Sequence, residues 1–179
     1  MTVLLRLLLA ITALAATVHS AVAHGPTPQK VDEKTTIAAK PDAVWAVVKD
    51  FGKFCEWNTV VTKCEADGGN APGTATRTLT LKTGGVIVEG LDDYNDADKT
   101  YAYRLSKENV EALPVSFYSA TISVKPAGDG SEVQWNGRFY RGDTSNFPPD
   151  NLNDEAAVKA MTEFFQQGLA GLKAKVESK

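Results

Sequence analysis

Near the end of the chain Val158, Met161, Phe165, Leu169, Leu172 and Val176 recur at steps of three and four. That spacing paints one apolar stripe on an α-helix. Asn153 stands in the N-cap position, Asp154 and Glu155 fall in the first turn, and Lys173, Lys175 and Lys179 lie near the end, the charge order a helix dipole favours. A helix of about 24 residues spans about 36 Å, the width of a small sheet. Being long and one-sided, it needs a broad apolar surface to lie on, and the rest of the chain must supply it. Gly168 and Gly171 interrupt it at about 1 kcal/mol each relative to alanine. They either leave room above a cavity or let the helix approach the sheet closely.

What precedes the helix reads mostly as β-structure. Residues 31–38, with Thr35, Thr36 and Ile37, form a short strand candidate. Pro41-Asp42 opens a helix whose apolar face is Val44, Trp45, Val47, Val48 and Phe51; Gly52 ends it, and one more helical turn follows over 54–57. Strands are predicted over 60–64, 74–81, 86–91, 100–105, 115–124 and 132–141, parted by turn-rich or polar segments at 66–72, 84–85, 92–98 and 126–130. Gly84-Gly85 marks a hairpin. Two longer polar loops, 106–114 and 143–152, are of the length that often gates a pocket. Arg141-Gly142-Asp143 spells an adhesion tripeptide, a match too short to carry a reading. The order predicts an α+β fold, a single domain over 31–178 with an antiparallel sheet of about six to seven strands and a long C-terminal helix.

The other end of the chain has a different character. Arg6 is the one charge before a Leu/Ala/Val run that closes on Ala21-Val22-Ala23. A basic start, an apolar core of about 7–15 residues and an A-x-A site describe a secretory signal peptide over 1–23, cleaved near Ala23-His24, with an uncleaved anchor as the alternative. A flexible leader over 24–30, carrying two prolines, follows. Losing Arg6 takes 19 basic residues to 18 against 22 acidic ones, a net charge of −4. Such a chain lacks the basic surface nucleic-acid binding requires, and no second apolar run is long enough to stay in a membrane. The expected localisation is periplasmic or secreted.

Export also frames the few residues with chemistry of their own. His19 leaves with the signal, so His24 is the mature chain's one imidazole, which argues against Ser-His-Asp and Cys-His catalysis and against His-rich zinc sites. No metal or cofactor is expected. Cys55 and Cys64 are the two cysteines, and an even count in an exported chain suggests a disulfide worth about 2–3 kcal/mol. Two free buried thiols are the alternative. Arg77 lies on the apolar side of its strand between Ala75 and Leu79, and Glu89 shares a side with Ile87 and Leu91. The hairpin makes these strands neighbours, so the opposite charges can meet on an inward face.

Several phrases resemble one superfamily: Pro41-Asp42-Ala43-Val44-Trp45, Phe51-Gly52 with Trp57 after it, Gly73-Thr74-Ala75-Thr76-Arg77, the hairpin 84–91 with Glu89, and Pro114-Val115 followed by Tyr118. These are similar to the START-like polyketide cyclase/dehydrase (SRPBCC) proteins. The resemblance implies a helix-grip fold, a curved antiparallel sheet wrapped around the C-terminal helix with a cavity between. It also implies that Arg77, Glu89 and Tyr118 line that cavity as polar anchors. A structural ion pair closing the sheet is the plainer account of Arg77 and Glu89. With the signal and the His-Gly-Pro-Thr-Pro leader, the chain resembles MxaD-type proteins of methanol oxidation, which implies a periplasmic partner, a methanol dehydrogenase or its cytochrome c acceptor.

The candidate ligand-binding set is therefore Trp57, Arg77, Glu89, Tyr101, Tyr103, Tyr118, Trp135 and Phe165. The tyrosines lead it, because a buried hydroxyl must find a partner. The leading expectation is a non-catalytic accessory or binding protein for a small hydrophobic molecule. The alternatives are a cyclase/dehydratase-like enzyme, with Glu89 as base, Tyr103 or Tyr118 as donor and Arg77 as charge holder, and a structural envelope protein with a filled core.

Overall fold

The computed structural model describes residues 25–178; the candidate signal segment 1–23 and His24 lie outside them. In chain order the elements are β1 (Gln29–Ile37), α1 (Pro41–Val48), a 3-10 turn (Phe51–Glu56), β2 (Val61–Asp67), β3 (Thr76–Leu81), β4 (Val86–Asn95), β5 (Thr100–Lys107), β6 (Val115–Ala127), β7 (Gly130–Arg141), a second 3-10 turn (Asp150–Leu152) and α2 (Asp154–Glu177). The strands form one sheet in the order β1-β7-β6-β5-β4-β3-β2. Every pairing is antiparallel, so β2 to β7 is a meander and β1 returns to its far edge beside β7.

The sheet bends because its ladders are interrupted. Register shifts fall in β2 between Val61 and Lys63, in β5 at Ser106 opposite Val88 and Glu89, in β4 between Leu91 and Asp93, and in β6 between Ser116 and Ser119. Each extra residue kinks its strand and increases the twist. α2 fills the resulting concave face, packing on β1 and β7. This is a helix-grip architecture. The buried side of α2 is Ala157, Met161, Phe164, Phe165, Gly168, Leu169, Leu172 and Val176, a face rotated from the expected stripe so that Val158 is only half-buried. The Asn153 carboxamide oxygen accepts the Ala156 N–H at 2.9 Å, as an N-cap does.

Both helical glycines serve close approach rather than an opening. A Cβ at Gly168 would sit 2.6 Å from the Trp135 ring, and one at Gly171 would collide with the Trp57 carbonyl. The β3–β4 turn needs its glycines for backbone reasons, with Gly84 at φ 91° and Gly85 at φ 81°.

Some boundaries differ from the sequence reading. The leader is shorter than 24–30, because Gln29 and Lys30 already pair with Phe139 and Arg138. α1 stops at Val48, and Phe51 opens a 3-10 turn capped by the Asp50 carboxylate. Thr74 and Ala75 belong to the turn before β3, Ala75 N–H bonding to the Ala71 carbonyl at 2.8 Å. The segment 92–98 is not a loop throughout: the shift after Leu91 breaks the alternation, and β4 continues to Asn95. Lys99, at φ 52°, completes that hairpin and reaches Asp42 of α1 at 2.8 Å.

Candidate functional site: a buried arginine in an aromatic interior

β3 and β4 set Arg77 directly opposite Glu89. Both point inward and both are 0% exposed. Arg77 Nε donates to Glu89 Oε2 at 2.5 Å, and Arg77 Nη1 donates to the Phe51 carbonyl at 3.1 Å. The other Glu89 oxygen accepts the Tyr118 hydroxyl, brought over from β6. Both carboxylate oxygens are thus engaged. The guanidinium lies between aromatic faces, 3.9 Å from the Phe54 ring centre, 4.1 Å from Phe51 and 4.6 Å from Tyr103. Cation–π attraction is strongest in such a desolvated setting.

Burial and charge oppose each other at these groups. Burial is the strongest influence on Arg77 and would lower its pKa, but the Glu89 carboxylate together with Tyr101 and Tyr103 holds the arginine above its ordinary value. At Glu89 burial wins and the carboxyl is pushed up, with Arg77 pulling the other way. Burial raises the Tyr101 phenol, opposed by Arg77. It raises Tyr103 well above its ordinary range, helped by the Glu89 charge.

The remaining members of the candidate set join the same interior. Trp135 Nε1 donates to the Tyr103 hydroxyl at 2.9 Å. The Trp135 ring stacks on Phe165 of α2, centroids 4.3 Å apart and planes 10° off parallel. Trp57 meets Trp135 at 5.8 Å and Phe54 at 4.7 Å, both edge to face. Trp57, Arg77, Glu89, Tyr101, Tyr103, Tyr118, Trp135 and Phe165 are each no more than 2% exposed. The fold gathers all eight, and their side chains occupy the space between helix and sheet. Phe51 and Phe54 complete the wall. In the sequence Phe51 falls on a helix face and in a phrase of the family resemblance and Phe54 in a turn, and their spacing of three, just before Cys55, is the available signal.

Open space lies elsewhere, along one seam of α2. A depression of about 250 Å³ runs between the helix, the β3–β4 turn and the loop 106–114. Leu81, Leu113 and Phe164 supply buried apolar walls, while Lys82 and Glu163 bring exposed charges. Phe164 joins it to the interior, its ring 6.2 Å from Phe54 and 5.8 Å from Trp135. One of the loops expected to gate a pocket therefore borders this depression. The other, 143–152, is pinned: the Arg141 guanidinium donates to the Asp143 carbonyl at 2.7 Å, the Ser145 carbonyl at 2.8 Å and Asp154 Oδ2 at 3.0 Å. That anchoring is what Arg141 does in the tripeptide set aside above.

Near the 3-10 turn, Cys55 and Cys64 are joined in a disulfide, Cα atoms 5.8 Å apart. Among the described residues no helix is long and apolar enough to cross a membrane.

A curved sheet gripping a C-terminal helix, with an inward Arg–Glu–Tyr triad and an apolar seam, defines a START-like α+β protein. Residues 28–177 match the family model for polyketide cyclase / dehydrase and lipid transport, and the chain belongs to that family. No curated protein matches it. Among solved structures, the protein XoxI from Bacillus cereus is 24% identical, with a TM-score of 0.69 over 83% of this chain and 95% of that one. The ZhuI aromatase/cyclase from Streptomyces sp. R1128 is 17% identical, with a TM-score of 0.65 over 84% and 94% of the two chains. A START superfamily protein from Mycobacterium smegmatis is likewise 17% identical, with a TM-score of 0.64 over 83% and 97%. At these identities the likeness speaks for the fold.

Proposed function

We propose that this is an exported, non-catalytic binding protein that takes a small amphipathic molecule into the seam beside α2. The observation that carries the reading is the seam itself: a mostly apolar depression, floored by Leu81, Leu113 and Phe164 and flanked by Lys82 and Glu163, where loop meets helix. Apolar concavities with a few placed polar groups are the usual form of a small-molecule site. The triad supports binding over catalysis, because Glu89 has both oxygens occupied and no exposed surface from which to take a substrate proton. Export rests on the N-terminal sequence, and the MxaD-type resemblance extends the reading to a periplasmic partner, a methanol dehydrogenase or its cytochrome c.

A neutral fluorescent probe such as N-phenylnaphthylamine tests the ligand reading. Purified protein is expected to bind it, and Ala160→Trp, which fills the seam, is expected to abolish binding without lowering thermal stability. Equal binding by the variant would refute the seam as the site. Affinity capture from the native periplasm tests the partner: recovery of neither an alcohol dehydrogenase nor a c-type cytochrome would remove that extension.

A further inference from the structure

Two of the three rings that shut Arg77 away, Phe51 and Phe54, come from one short piece of chain, and Tyr103 of β5 supplies the third. Phe51, Phe54 and Trp57 all lie in residues 50–58, between α1 and β2. This piece adds no strand to the sheet, and its turn is broken at Lys53, which leaves helical geometry at φ −94°, ψ 25°. Phe51, Phe54 and Trp57 bury it against the core, but its polar and covalent ties to the rest of the molecule are few. Phe51 N–H bonds to Asn70 Oδ1 at 2.9 Å, the Phe51 carbonyl accepts from Arg77, and Cys55 is bonded to Cys64 of β2. Both cysteines are half-buried, and Glu56, Lys63 and Glu65 beside them are exposed, so a thiolate can approach.

Beneath this plug the hydrogen bonding is incomplete. Arg77 Nη2, Trp57 Nε1 and Asn58 Nδ2 are buried donors without an acceptor, two of them on the plug itself. Buried donors left unpaired weaken a segment's hold on its seat. If the plug withdraws, Nη1 also loses the Phe51 carbonyl, and the guanidinium presents two adjacent N–H groups. That fork matches the paired oxygens of a carboxylate or sulfonate. The aromatic space left by Phe54 and Trp57 suits a ring, and Phe164 already connects it to the seam.

We propose that the Cys55–Cys64 disulfide is a redox latch: its reduction releases the plug of residues 50–58, and Arg77 then receives an aromatic carboxylate or sulfonate in the vacated space. The inference rests on the ligand-binding reading above and gives it an interior site opened by reduction. The reductant is a dithiol. One of its thiolates attacks a cysteine sulfur, the S–S bond breaks and a mixed disulfide forms, and the released thiolate takes a proton. The second thiol of the reductant then displaces the other cysteine, which leaves as a thiol. Two electrons pass to the protein, and the dithiol departs as a disulfide.

Hydrogen exchange read by mass spectrometry, on the full exported chain with and without a dithiol, tests the latch. Exchange is expected to quicken about tenfold over residues 50–58 while β5, β6 and β7 keep their protection. Under reduction, anilinonaphthalene sulfonate is expected to bind about tenfold more tightly, and the uncharged phenylnaphthylamine to change little. Cys55→Ser with Cys64→Ser should reproduce the reduced behaviour without the dithiol. Unchanged exchange, equal gains for both dyes, or loss of protection across the whole sheet would each overturn the proposal. The oxidised protein's binding of the neutral probe decides the seam reading separately, since it does not depend on the latch.

Discussion

Removing one member of the Arg77–Glu89–Tyr118 triad should cost far more than removing all three. In Arg77→Met the Glu89 carboxylate stays 0% exposed and keeps only the Tyr118 hydroxyl as a partner. Breaking a buried pair from one side costs about 3–5 kcal/mol, about a fifth or more of the roughly 5–15 kcal/mol that holds a domain together. Glu89→Leu added to it removes the stranded charge but orphans the Tyr118 hydroxyl, at about 1–3 kcal/mol. The triple variant Arg77→Met, Glu89→Leu, Tyr118→Phe should return to within about 2 kcal/mol of the parent, the remainder being the Phe51 carbonyl left without its donor. Urea unfolding followed by tryptophan emission reads this directly, since Trp45, Trp57 and Trp135 are all buried. The pH dependence of Arg77→Met supplies an internal check. Burial already raises the Glu89 carboxyl above its ordinary 4.5, and losing Arg77 raises it further. The folded variant then binds a proton that the unfolded chain has shed, so its deficit should shrink as pH falls toward 4.5. A deficit below about 1 kcal/mol, or a triple variant as weak as the single one, would refute the view that these charges are dry and mutually dependent.

Three further outcomes follow from particular contacts. Gly171→Ala gains helix propensity but drives a Cβ into the Trp57 carbonyl, so it should lose about 1–3 kcal/mol and melt lower; a rise in Tm would contradict the close approach of α2. Phe117 is 72% exposed at φ 49°, so Phe117→Gly should gain up to about 1 kcal/mol in urea unfolding, and a clear loss would mean that its ring contributes more than its backbone costs. Above pH 10 the unfolded chain ionises its tyrosines while Tyr103 stays protonated in the fold, so its contribution is complete below that pH and drains away above it, by at most about 1.4 kcal/mol per pH unit. Tyr103→Phe should flatten the alkaline loss in stability by that amount, and an unchanged slope would argue against a buried phenol.

The inward placement of Arg77 and Glu89 was legible because strand alternation fixes which face a residue takes, and Gly84-Gly85 fixes which strands are neighbours. The α2 stripe was legible for the same reason, periodicity, with an error of one position that only the packing of Phe164 against Trp135 resolves. What alternation cannot carry is a register shift. The extra residues in β4 and β6 hid the true end of β4 and the exposed turn-out of Phe117. Nor does a list of inward aromatics say whether they surround a space or fill it. Tyr101, Tyr103, Trp135 and Phe165 qualify as pocket lining by type and face, and whether rings meet each other or a ligand depends on volumes that no local pattern encodes. The seam has no sequence signature because its walls come from three distant pieces of chain, around Leu81, Leu113 and Phe164.

The central claim is that the oxidised protein holds its ligand in the seam and not around Arg77. An NMR titration of the isotope-labelled, disulfide-intact protein with N-phenylnaphthylamine measures this most directly. The account predicts shifts concentrated at Leu81, Ala112, Leu113 and Ala160, with the Trp135 indole N–H and the resonances of Tyr101 and Tyr103 unmoved. Shifts centred on Trp135, Tyr103 and Arg77, with the seam silent, would contradict it.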